Sequence, residues 1–199
     1  MRKIYIIASL LLVSFLIVSG CGGGGTGGAP GSDGSEDTGI HITSVNLAAL
    51  GDFGSDFDVF QHLTRCDGEP EPAITKEQVT MTVGATLVNS GFDTFPGNVT
   101  ECTITYMKAD ENPAAPIIEK LTVYPNCTII DGTVDCVVDV IDVQRKWDFW
   151  NDIISGQHET AEVATHYVAF YQCEYQSLYG ESGDFEGRLS IRLWDFITC

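Results

Sequence analysis

The side chains in this sequence best suited to chemistry are clustered carboxylates, a pair of histidines and seven cysteines. Asp52, Asp56 and Asp58 stand close together in Gly51-Asp52-Phe53-Gly54-Ser55-Asp56-Phe57-Asp58. Carboxylates in such a loop offer the hard oxygen donors that calcium takes, so these three aspartates are the candidate metal site and calcium the candidate ion. Their spacing is not that of an EF-hand, and acids that simply face water are the commoner outcome of such a run. Asp67, Glu69 and Glu71 extend the same acidic connection. His158, Glu162 and His166 are spaced i, i+4 and i+8. On a helix they would share a face and could ligate zinc. The valine- and aromatic-rich run from Val163 to Tyr175 reads as a strand, which spreads the three over about 26 Å at ~3.3 Å per residue. The cysteine spacings contain no Cys-x-x-Cys pair, and Gly-x-Ser-x-Gly and the phosphate-loop pattern are absent. No residue is assigned a catalytic role, and the expected function is non-enzymatic.

The elements that must position these groups begin with an export segment. Arg2 and Lys3 precede an apolar run from Ile4 to Val18, the length of a signal h-region and short for a membrane-spanning helix. The small residues Ser19 and Gly20 then lead to Cys21. Val18-Ser19-Gly20-Cys21 resembles the lipobox of bacterial lipoproteins. The resemblance covers residues 1–21 and implies cleavage before Cys21, lipidation of its thiol and usually of its new amino group, and a partner in the lipid bilayer. Two or more chains anchor stably. Gly22, rather than an aspartate, follows the cysteine, which by the same resemblance favours the outer membrane, facing the periplasm or the cell exterior.

Residues 22–39 read GGGGTGGAPGSDGSEDTG. Nothing in them can bury apolar area, so they are expected to form a disordered tether with a reach of about 23 Å, from ~5–6 Å × √n. The expected organisation is a signal helix over 1–20, a lipidated cysteine and tether over 21–39, and a folded domain over 40–199. A chain starting at Cys21 loses Arg2 and Lys3 and no acid, which leaves 8 basic against 28 acidic residues, or −20. That charge repels nucleic acid and anionic lipid headgroups and suits a basic partner or divalent cations.

From Ile40 onward, short alternating runs broken by turn residues predict antiparallel β structure. Val45, Leu47 and Ala49 form one face of a first strand, and residues 51–77 a long connection. Val79, Met81, Val83, Ala85 and Leu87 make the clearest half-buried strand. A third spans 99–108 with Cys102, Ile104 and Tyr106 on one face. A fourth runs from about Ile117 to Thr128 and a fifth from Thr133 to Val143. A helix follows, capped by Asp142 and ended by Gly156, with Trp147, Trp150 and Ile154 as its apolar stripe. Residues 162–175 and a run through Leu189, Ile191 and Leu193 complete seven strands. The fold class is thus all-β, a seven-stranded antiparallel β-sandwich with one short helix between strands five and six. Its layout resembles immunoglobulin and fibronectin type III domains, without the Cys…Trp…Cys signature of antibody domains.

With Cys21 lipidated, six cysteines remain and fifteen pairings are possible. Cys127–Cys136 follows locally: Asp131-Gly132 suits a type I′ hairpin turn, which sets the two cysteines opposite each other about 4.5 Å apart. Counting alternating strand directions puts Cys102 beside Cys173, and Cys66 at the same end as Cys199. The expected crosslinks are Cys127–Cys136, Cys102–Cys173 and Cys66–Cys199. Asn98-Val99-Thr100 and Asn126-Cys127-Thr128 match the N-glycosylation pattern, which a bacterial lipobox makes accidental. The leading expectation is a membrane-anchored binding or structural module in an envelope or cell-surface assembly, with a protein partner. The alternative is calcium-dependent adhesion or carbohydrate binding.

Overall fold

The computed structural model describes residues 34–50, 54–60, 73–89, 91–109, 115–156 and 164–194. In chain order these form α1 (Ser35–Thr38), β1 (Ile40–Ala49), β2 (Asp56–Asp58), β3 (Glu77–Leu87), β4 (Gly97–Lys108), β5 (Leu121–Val123), β6 (Cys127–Ile129), β7 (Gly132–Ile141), α2 (Val143–Ile154), β8 (Thr165–Gln176) and β9 (Ser182–Trp194). Strands dominate and lie in two sheets, so the protein is all-β, as its alternating sequence predicts. One sheet has the order β1-β3-β7; the other runs β2-β9-β8-β4-β5, with β6 also paired to β4. Among the described residues no helix is long and apolar enough to cross a membrane.

Period-two patterning in the sequence becomes alternating burial. Val79, Met81, Val83 and Ala85 of β3 are buried, as are Cys102, Ile104 and Tyr106 of β4. Tyr167, Ala169, Tyr171, Cys173 and Tyr175 form the inward row of β8. A buried tyrosine needs a partner for its hydroxyl. Tyr106 Oη donates to the Val140 carbonyl at 2.6 Å, and Tyr171 Oη to that of Asp139 at 3.2 Å, both on β7. Tyr175 Oη donates to the Ile40 carbonyl of β1 at 3.1 Å. Each of these hydroxyls crosses from the six-stranded sheet to the three-stranded one. The rings supply apolar burial, and their polar tips bond the two layers at defined heights. Desolvation raises the pKa of all three, keeping them protonated donors.

Several elements depart from expectation for identifiable reasons. The first strand starts earlier, with Ile40 and Ile42 fully in the core. A register shift between Ile42 and Ser44 then changes the inward parity, so Val45, Leu47 and Ala49 only border the core. Gly84 lies opposite Ser44; a Cβ there would stand 2.5 Å from Ser44 Oγ and 2.9 Å from Thr43 Oγ1, so glycine leaves room for the irregularity. The expected fourth strand is two short ones, β5 and β6, separated by Tyr124-Pro125-Asn126. Both pair with β4, and Pro125 has no N–H to continue the ladder between them. The expected tether contributes α1, because Thr38 is buried and its hydroxyl lies 3.0 Å from that of Tyr175.

The long connection contains β2, which pairs parallel with the end of β9 and buries Phe57. Asp142 caps α2 as predicted, accepting the Arg145 N–H at 2.9 Å, and Gly156 follows the helix end with φ of 71°. The buried face of α2 differs from the predicted stripe. Lys146 and Phe149 are buried, whereas Trp147 and Ile154 are exposed. Lys146 can turn inward because its ammonium meets Glu77 at 2.6 Å. Trp150 packs its ring between Phe60, 4.7 Å away, and Trp194, 6.3 Å away.

Candidate functional site

Two predicted crosslinks are present. Cys102 and Cys173 lie directly opposite each other on β4 and β8 and are bonded, with Cα atoms 4.0 Å apart. Cys127 and Cys136 are bonded at a Cα separation of 5.4 Å, but the expected geometry is corrected. Among the described residues no non-glycine has positive φ, so Asp131 does not form the type I′ turn, which needs positive φ at both central positions; only Gly132 has it, at 99°. β6 pairs with β4 and β7 with β3, in different sheets. The bond is therefore a staple between layers and not a rung within one hairpin ladder. Cys21, Cys66 and Cys199 lie outside the described residues, so the anchor and the third crosslink are not placed.

The acidic loop is divided. Asp52 lies outside the described residues; Asp56 and Asp58 sit on one face of β2, with Phe57 on the other. The Asp56 carboxylate takes both its oxygens to the Arg192 guanidinium, its register partner on β9. Asp58 Oδ1 accepts the Phe60 N–H at 3.1 Å. A fixed guanidinium thus occupies the place a divalent cation would take at Asp56. His158 and Glu162 lie outside the described residues, while His166 is part of strand β8, opposite Arg192. The strand reading of its segment therefore holds.

A different group of residues converges at one end of the sandwich. The β3–β4 loop, the β8–β9 loop and the α1–β1 junction meet there. The Val88 N–H donates to the Gly39 carbonyl at 2.9 Å, and the Leu178 N–H to the Thr94 carbonyl at 3.1 Å, tying the three segments together. The β8–β9 loop closes on itself: the Ser177 N–H donates to the Glu181 carbonyl, and the Glu181 N–H to Ser177 Oγ. On this frame Phe92 and Tyr179 stack with ring centroids 5.1 Å apart and planes 23° from parallel. Both are 58% exposed, and Val88 and Leu178 beside them are also exposed. An open cavity of about 510 Å³ lies against the pair, lined also by Glu36, Asp37, Glu181 and Thr94.

Aromatic faces and carboxylates around one hollow attract cations and bury flat apolar surface. Sequence reading did not find this site, because its residues are dispersed from 36 to 181. The available signal was an isolated aromatic in each of two turn-rich segments, Gly91-Phe92-Asp93 and Leu178-Tyr179-Gly180.

No protein-family model matches the chain, and comparisons with curated proteins and with solved structures find no match either.

Proposed function

We propose that this protein is a bacterial lipoprotein, anchored in the outer membrane through acylated Cys21 and facing the periplasm or cell exterior. Its folded part serves as a non-catalytic binding or structural module in an envelope assembly. The observation that carries the reading is the exposed Phe92–Tyr179 stack, presented by short, hydrogen-bonded loops on a rigid two-sheet scaffold. Loops fixed in this way are where sandwich domains place recognition, and exposed aromatics are the side chains that dominate interfaces.

The immunoglobulin-like reading of the scaffold is part of the proposal. The order β1-β3-β7 corresponds to strands A-B-E, and β9-β8-β4-β5 to G-F-C followed by C′. On that correspondence the stacked aromatics occupy the B–C and F–G loops. The departures are β2, α2 in the E–F connection, and a disulfide joining C to F within one sheet where antibody domains join B to F across two.

The test is photo-crosslinking in intact envelopes from probes placed singly at 179 in the loop apex, 174 on the sheet face and 147 on α2, together with mass analysis of the peptide containing Cys21. An acylated Cys21 peptide and a protein adduct from at least one position are expected. An unmodified Cys21 would overturn the anchoring, and the absence of an adduct from every position would overturn the module reading.

A further inference from the structure

We propose that the apical cavity takes a cationic side chain, lysine or arginine, from a basic segment of a partner protein. This rests on reading the domain as a binding module and names the chemistry of what it binds.

Four observations meet at this one place. Three carboxylates, Glu36, Asp37 and Glu181, line the cavity, and no basic residue does among the described ones. None of the three makes a hydrogen bond or ion pair within the described fold, unlike Asp56, Asp139 and Asp142, which are held by Arg192, Lys76 and Arg145. Phe92 and Tyr179 present stacked rings to the same hollow, and aromatic faces attract ammonium and guanidinium groups. Thr94, only 6% exposed, also contributes to the lining, and its Oγ1 is buried without a hydrogen-bond partner. An orphaned hydroxyl is costly, so the wall of this hollow carries a polar group that the fold leaves unsatisfied. The chain's net charge adds long-range attraction for a basic partner.

A protein segment fits better than an isolated small cation. The hollow is open, and exposed Val88 and Leu178 beside it offer apolar contact to residues flanking the inserted cation. A strongly acidic chain attracts any polycation, so the test must separate the site from bulk charge. The full chain is titrated with a fluorescein-labelled octapeptide of alternating lysine and alanine at physiological salt. Three variants are compared: the apical triple Glu36→Gln, Asp37→Asn, Glu181→Gln; the aromatic pair Phe92→Ala, Tyr179→Ala; and a control triple Glu119→Gln, Asp148→Asn, Glu174→Gln, which removes equal charge elsewhere.

The apical triple and the aromatic pair are each expected to weaken binding about tenfold, and the control triple less than about twofold. Equal weakening by the two triples, or no effect of the aromatic pair, would overturn the site. Spermine binding as tightly as the peptide and displacing it completely would overturn the assignment to a protein segment. Circular dichroism checks that each variant is folded. If envelope adducts form from 174 or 147 but never from 179, the module reading stands and the apical proposal falls. If none forms anywhere, the module reading itself falls.

Discussion

Tyr175 shows how single side chains hold this sandwich together. Its hydroxyl meets both Thr38 Oγ1 and the Ile40 carbonyl, so it bonds β8 to α1 and to the start of β1. Gly183 makes room for it, since a Cβ at that position would come within 2.6 Å of the ring. Tyr175→Phe keeps the apolar body and removes both hydrogen bonds. A loss of about 1–2 kcal/mol is expected in urea denaturation. The buried tyrosines also predict the alkaline limit of the fold. Burial raises the pKa of Tyr106, Tyr167, Tyr171 and Tyr175 above the ordinary 10.0. Above that value the unfolded chain releases phenolic protons that the folded chain retains. Stability is therefore fully present below about pH 10 and falls as pH rises past it. Chemical denaturation from pH 8 upward, read beside tyrosinate absorbance, should show unfolding and ionisation together. At Asp56 the ion pair with Arg192 predicts that millimolar calcium leaves the thermal midpoint in place. An upward shift with calcium would return the acidic loop to metal binding.

Among the elements, those visible in the sequence are the ones whose burial is set locally. β3 and β8 present an apolar residue at every second position along most of their length, and β4 does so from Cys102 to Tyr106, so the sheet has only to cover that face. β2 was not visible because its three residues, Asp56–Asp58, are made a strand by a partner more than 130 residues away. Nor does local pattern reveal sheet membership: Asp131-Gly132 predicts the Cys127–Cys136 bond through a turn that does not form, and the bond instead joins two sheets. The two bonds predict different losses. In the chain-entropy account, Cys102–Cys173, with a separation of 71, should contribute about 4 kcal/mol, and Cys127–Cys136, with a separation of 9, about 3 kcal/mol. Denaturation of the two double-alanine variants checks this. A larger loss from the shorter loop would mean that holding the two sheets in register outweighs chain entropy.

Across the whole molecule, the end opposite the loop apex gathers α2, β2 and the last turn of β9. The Val59 N–H donates to the Trp194 carbonyl at 3.1 Å, and Phe60, Trp150 and Trp194 pack as a chain of rings. The described chain thus places Phe60 and Trp194 at one end of the sandwich, and peptide mapping without reduction is expected to recover a Cys66–Cys199 pair. A peptide joining Cys66 to Cys102 would contradict it, since Cys102 is already bonded in the core. The two-layer β architecture was legible at this scale because alternation recurs along most of the domain. The apical site was not, because it is assembled from three connections, and loop sequences carry no period that announces which loops will meet.

The described chain begins at Gly34, packed beside Gly183 at the same end of the sandwich as Phe92 and Tyr179. Twelve residues separate Gly34 from Cys21, a reach of about 20 Å for a glycine-rich chain. If Cys21 is acylated as proposed, a tether of that length would confine the cavity to a thin slab just above the lipid. A partner held in the same membrane would then meet it at an effective concentration on the order of millimolar, enough for weak contacts to persist. A partner diffusing in three dimensions would gain nothing from such anchoring. Lengthening the tether should weaken capture of a co-anchored partner while leaving affinity for a free peptide unchanged.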